Sequence, residues 1–346
     1  MEMLQNIGIF FAETFIIVLA IIAVLITIAT LALKGKHKNT FEIELLHEKY
    51  EDQVQALKES FLTSGEIKKE QKRVKKEQKK KDKEGHQAEK TRRIFVIEFL
   101  HGDIKGSASE NLKEEVTSVL GVATANDEVV VKVESPGGMV HSYGYAAAQL
   151  LRIRDANIPL TICVDQVAAS GGYLMACVAH KIIAAPFALI GSIGVVAQVP
   201  NFNRLLKKYD VDYKEYTAGD YKRTVSLFGE ITEKGELKFK EQLELTHQLF
   251  KSFVSRFRPK MDLAKVATGE FWYGENAIAL GLVDEIKTSD EYLVHLAKDH
   301  QVVRISFEHK PTLVEKISES ISLMVSKAVS LTISKLVTEN KITKSM

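Results

Sequence analysis

PLTICVDQVAASGGYLMACVA, residues 159–179, is the stretch that decides the fold of this chain. It opens on a short run rich in apolar and β-branched side chains, crosses small residues and two glycines, and continues in a helical pattern over 173–179. A run that is apolar on both faces is how a parallel strand reads when helices cover both sides of its sheet. The same texture recurs upstream in IFVIEFL (94–100) and EVVVKVES (128–135), with a helical pattern over 143–156 before the next strand. Short buried strands alternating with helices predict an α/β domain.

Downstream, a long charged amphipathic helix is expected from Thr232, which with Glu233 offers a cap, to Arg258, where Pro259 ends it. Upstream, apolar residues from Ile43 to Phe61 recur at steps of three and four, the period of an amphipathic helix able to pair with another chain. Residues 66–93 come next, with thirteen basic and six acidic residues and almost nothing apolar. Such a segment is a solvated helix or a disordered linker, with anionic lipid as a secondary partner. Nucleic acid is not expected, because no aromatic side chain is interleaved to stack on bases. The tail from Pro311 again spaces apolar residues by three and four, as a membrane-surface or packing helix does.

TFIIVLAIIAVLITIATLAL, residues 14–33, carries no charge, and about twenty such residues cross a bilayer core as a helix. Glu2 and Glu13 precede it and Lys34, Lys36 and Lys38 succeed it, the reverse of a cleaved secretory signal, so a retained anchor is expected. The positive-inside rule places the chain beyond residue 33 in the cytoplasm. The organisation expected is an anchor (1–33), an amphipathic helix and basic linker (34–93), a catalytic domain (94–300) and an amphipathic tail (301–346).

Across 346 residues the net charge is only +2, which says little about partners. Cys163 and Cys177, the two cysteines, sit among apolar neighbours and read as buried structural thiols, not a disulfide framework.

The chemistry concentrates in three places. Ser170 lies where a strand gives way to a helix, and there the helix dipole and free N–H groups favour negative charge. A plain N-cap serine would look the same. Ser135-Pro136-Gly137-Gly138 ends an earlier strand, and adjacent glycines there either present N–H groups to an oxyanion or simply make a turn. A nucleophilic serine needs a base. His141 has no orienting acid nearby in sequence and is read as cleft lining, whereas Lys222, with Arg223 beside it, can serve if its amine is neutral; by spacing alone it reads as an ordinary surface lysine. No metal cluster or phosphate loop stands in its proper context, so no cofactor is expected.

SPGG (135–138), AASGGY (168–173), GSIGVV (191–196), TAGDYKR (217–223) and GLVDEI (281–286) occur in the order found in the signal peptide peptidase A family of serine proteases, which the chain resembles over 94–286. The resemblance implies a ClpP/crotonase-like spiral of ββα units. It gives Ser170 the role of nucleophile and Lys222 that of general base, with the N–H groups of Gly138 and Gly171 as oxyanion donors. It further implies peptide substrates, among them membrane-associated or signal peptides, and a homo-oligomer whose active sites are shared between subunits. Its best-known members work on the side of the inner membrane opposite to that given by positive-inside counting. Two other functions remain open: a crotonase-type acyl-CoA enzyme in which no serine acts, and a non-enzymatic membrane scaffold.

Overall fold

The computed structural model describes residues 40–84, 92–100, 102–103 and 105–308. Phe41–Phe307 form one compact unit, while the second unit, Met1–Thr40 with Glu308–Met346, lies almost wholly outside the described residues. The apolar run 14–33 and the tail from Pro311 are outside them too. No helix among the described residues is long and apolar enough to cross a membrane.

The main sheet follows from the β-branched runs. Strands β1 (Thr40–Leu45), β2 (Arg93–Phe99), β3 (Glu128–Val133), β4 (Leu160–Val164), β6 (Lys181–Ala184), β9 (Glu285–Ile286) and β10 (Gln301–Glu308) assemble in the order β1-β10-β2-β3-β4-β6-β9. From β10 to β9 every pairing is parallel, with Val302 beside Ile94, Val96 beside Val130, Val131 beside Ile162 and Ile183 beside Glu285. Parallel pairing requires crossovers, and helices α3 (Ser109–Leu120) and α4 (Val140–Asp155) supply two of them. Their apolar faces, with Leu112, Val116, Leu150 and Ile153 fully buried, close the larger core on one side of the sheet. A smaller core on the other side joins Ile94, Val96, Val130, Cys163 and Ile183 to Leu46 and Leu293, from helices α1 (Leu46–Glu59) and α10 (Ser289–Leu296).

Two expectations change. Residues 159–168 are not one strand: β4 ends at Val164 and β5 (Val167–Ala169) belongs to a second sheet with β7 (Leu189–Gly191) and β8 (Phe271–Tyr273). The break falls at Asp165, whose carboxylate accepts hydrogen bonds from the amide and hydroxyl of Ser289 instead of continuing a ladder. Ile43 lies in strand β1, so the amphipathic helix starts only at Leu46; Val54 and Leu57 on it are exposed. Of the two readings of the charged segment, the helix holds as far as Glu84: α2 (Ser64–Glu84), with Thr63 bonded to Glu66 through both its amide and its hydroxyl at the start. The sheet also takes in β1 and β10.

Other features match the sequence closely. Helix α7 spans Glu233–Phe257, with Thr232 Oγ1 accepting the Gly235 amide at 3.1 Å. The shorter helices are α5 (Gly171–Ala176), α6 (Asn203–Lys208), α8 (Leu263–Val266) and α9 (Gly274–Ala277). Cys163 and Cys177 are free and buried, and burial pushes both thiols well above the usual range.

Candidate active site

Ser170 sits between β5 and α5, where the chain leaves the small sheet. Its backbone is held at φ 52° and ψ −117°, a conformation that L-residues rarely adopt. Two hydrogen bonds impose it: the Ser170 amide donates to Gly191 O at 2.8 Å, and its carbonyl accepts from Leu174 N at 2.9 Å. The serine is the N-cap of α5, yet its side chain makes no capping hydrogen bond. That removes the plain capping explanation of the residue.

The SPGG turn packs directly on this junction. Ser135 bridges to Ala168 as an isolated parallel pair, with Ser135 N donating to Val167 O and Ala169 N to Ser135 O. At Gly137, φ is +90° and a Cβ would stand 2.6 Å from the Gly171 amide nitrogen and 2.8 Å from Ser170 Cβ. Only glycine lets the two turns meet so closely. Gly138 comes next, and it lines the same cavity as Ser170 and Gly171. Among the described residues neither the Gly138 nor the Gly171 amide donates a hydrogen bond.

The cavity has a volume of about 380 Å³. His141 lines it, as expected of a cleft residue, and Gly194, Val195 and Val196 bring in the GSIGVV stretch. Its apolar wall was not anticipated from sequence. Leu249, Phe250 and Phe253 of α7 supply it, together with Leu174. The signal was present in the amphipathic period of α7, but nothing in that period says which cavity the apolar face borders.

Lys222 stands apart from this group. It is exposed and does not line the Ser170 cavity; its amide closes a turn onto Gly219 O at 3.1 Å, and φ at Gly219 is +97°. Its neighbour Arg223 is paired with Glu215 at 3.0 Å. Thus the structure brings Ser170, Gly138, Gly171 and His141 together within one chain, but not Lys222 with them.

With that geometry in place, comparison with known proteins is direct. The model of the peptidase family S49 N-terminal region matches residues 2–150, and that of peptidase family S49 matches 152–303. The chain belongs to peptidase family S49. It is 49% identical over 325 residues to the probable protease SohB of Haemophilus influenzae, covering 91% of this chain and 92% of that protein. The probable protease SohB of Buchnera aphidicola subsp. Schizaphis graminum is 42% identical over 340 residues, 95% of this chain and 98% of the relative. Protease 4 of Salmonella typhi is more distant, 29% identical over 202 residues, or 56% of this chain and 32% of the relative.

Proposed function

We propose that this S49 chain is a membrane-anchored serine endopeptidase of ClpP/crotonase-like architecture, in which Ser170 attacks a peptide carbonyl and Lys222 is the general base. The observation that carries the proposal is the backbone of Ser170, held in a strained conformation at a helix start, uncapped, at the edge of a cavity bordered by two unengaged amides. Strain of this kind costs about 1–3 kcal/mol and persists where the surroundings enforce it. Family membership and the names of the SohB relatives, probable proteases, support a peptidase.

In the reaction, the Lys222 amine takes the Ser170 proton as Oγ adds to the scissile carbonyl. The carbonyl oxygen becomes an anion facing the amides of Gly138 and Gly171, and each such donor is worth about 3–4 kcal/mol of barrier. The tetrahedral adduct collapses by expelling the amine, which takes a proton from the lysine. Water, deprotonated by the same lysine, then releases the acyl group. The apolar wall from α7 favours substrates with apolar side chains at the cut, in keeping with membrane-associated or signal peptides.

The exposed position of Lys222 makes a second subunit part of this proposal. The segment that carries it is unusually rich in exposed apolar side chains: Val196, Phe202, Leu205, Tyr213, Tyr216 and Phe228, with Tyr216 at 89% relative exposure. A surface of that kind marks an interface, and a neighbouring copy would bring its lysine to the serine. The uncharged run 14–33 supplies the anchor.

The test uses the full chain in its native assembly, with a serine-directed fluorophosphonate probe and an internally quenched peptide. Wild type is expected to be labelled and to turn over. Ser170→Ala abolishes both labelling and turnover, and Lys222→Ala abolishes turnover with assembly intact. Retained turnover in either variant overturns the dyad, and an unlabelled wild type favours acyl-CoA chemistry or a scaffold.

A further inference from the structure

Behind the two turns lies a polar chain that the proposed chemistry does not use directly. Tyr143, on the first turn of α4, is fully buried, with its ring edge-on to Phe99 at 6.2 Å between centroids. Its hydroxyl donates to Asp103 O at 2.8 Å. That commits the single phenolic proton, so the 2.6 Å contact with Ser135 Oγ must have Ser135 as donor. Ser135 Oγ in turn accepts the Gly137 amide at 3.0 Å. Every group in the chain is satisfied, and burial pushes the phenol up, so it remains a donor at all working pH values.

The same residue touches the other turn with its ring. A Cβ added to Gly171 would collide with Tyr143 Cγ, so the Gly171 backbone packs directly against the tyrosine. Gly102 is closed in similarly, with Ser135 Oγ 2.5 Å and Tyr143 Oη 2.8 Å from where its Cβ would stand. Tyr143 thus contacts both donors' supports: through its hydroxyl the SPGG turn that precedes Gly138, and through its ring the Gly171 peptide.

We infer that Tyr143 is a positioning residue for the oxyanion-binding amides, its ring setting Gly171 and its Ser135-linked hydroxyl fixing the Pro136–Gly137 peptide, from which the Gly138 amide follows. The inference rests on the serine-peptidase proposal and concerns that same site. An oxyanion donor is effective only when it is aimed at where the charge develops, so a loosened turn raises the barrier while substrate affinity, set by the α7 wall, is retained.

The variant that isolates the hydroxyl is Tyr143→Phe, which keeps the ring against Gly171 and leaves Ser135 without its acceptor. In the assembled full chain, with an internally quenched peptide carrying leucine at the cut, kcat is expected to fall about tenfold with KM within twofold. Ser135→Ala breaks the same chain from the other end and is expected to show the same split. The double variant is expected to be no slower than the worse single, because the two side chains act as one unit. A kcat within twofold of wild type in Tyr143→Phe and Ser135→Ala, or a kcat loss that comes with a raised KM and a lowered melting temperature, overturns the positioning role. Ser170→Ala run alongside keeps the two questions apart: turnover in that variant rejects the nucleophile, whereas failure of the tyrosine inference alone leaves Ser170→Ala inactive and Tyr143→Phe unimpaired.

Discussion

Ser170 keeps its conformation only because its neighbours leave no other. Gly137 is the tightest of them, and its φ of +90° already excludes most side chains. Gly137→Ala would push a methyl into the Gly171 amide and Ser170 Cβ, so the two turns must separate. Turnover is expected to drop at least a hundredfold, with a stability loss of about 1–3 kcal/mol, as measured by peptide hydrolysis and thermal melting. A second residue-scale effect is remote from the site. Burial pushes the Glu115 carboxyl up to about 7; the Phe307 amide bonded to it at 2.9 Å opposes the shift, and the nearby charge of Glu98 adds to it. The folded state therefore holds a proton that the unfolded chain releases near 4.5. The stabilising contribution is complete below that value and is lost as pH rises through 7. Glu115→Gln keeps an acceptor for Phe307 without the charge, so its melting temperature is expected to exceed wild type at pH 8.5, by an equivalent of roughly 2 kcal/mol, and to match it at pH 4.5.

At the scale of elements, the helix that walls the cavity is anchored at its far end. Arg258, the C-cap of α7, forks onto both carboxylate oxygens of Asp284 at 2.8 Å each and also donates to Gly281 O. Asp284 Oδ2 additionally accepts the Ile182 amide, tying β9 to β6. The GLVDEI motif is therefore a clamp between sheet edge and helix, not part of the chemistry. Burial would raise the Asp284 carboxyl, but the Arg258 fork and the Ile182 amide outweigh it and hold it below the usual carboxylate range. Its contribution is present above about 3.8 and disappears as pH falls through the lower folded value. Asp284→Asn is expected to lose about 2 kcal/mol at pH 7 and much less near pH 2, a difference that melts at the two pH values would register. Much of this level was legible in advance. Apolar runs announced β2, β3 and β4, and Thr232 and Pro259 bracketed α7, because those signals are local. What stayed hidden was non-local. Nothing within residues 301–308 says that they pair with 93–97, and residues 165–169 do not reveal that the chain changes sheets there. At the site, Ser170 and its glycines were readable from the strand-to-helix junction, whereas Tyr143 and the α7 wall reach it only through tertiary packing.

For the whole molecule the decisive fact is that one chain carries the serine in a cavity and the lysine on an exposed segment outside it. If a neighbouring copy supplies Lys222, a site needs an intact serine from one subunit and an intact lysine from the next, and the two need not come from the same gene product. Ser170→Ala and Lys222→Ala chains are each inactive alone under this arrangement. Co-assembled from equal amounts, however, they place an intact serine beside an intact lysine at about one site in four of a closed ring. Co-expression is therefore expected to restore about a quarter of wild-type turnover, whereas mixing after each homo-oligomer has formed restores none until subunits exchange. An arrangement in which each lysine serves the serine of its own chain predicts no recovery by either route, because no chain in the mixture carries both groups. The serine-directed probe supplies the internal control, since labelling in the mixed particles must appear only on the Lys222→Ala chains.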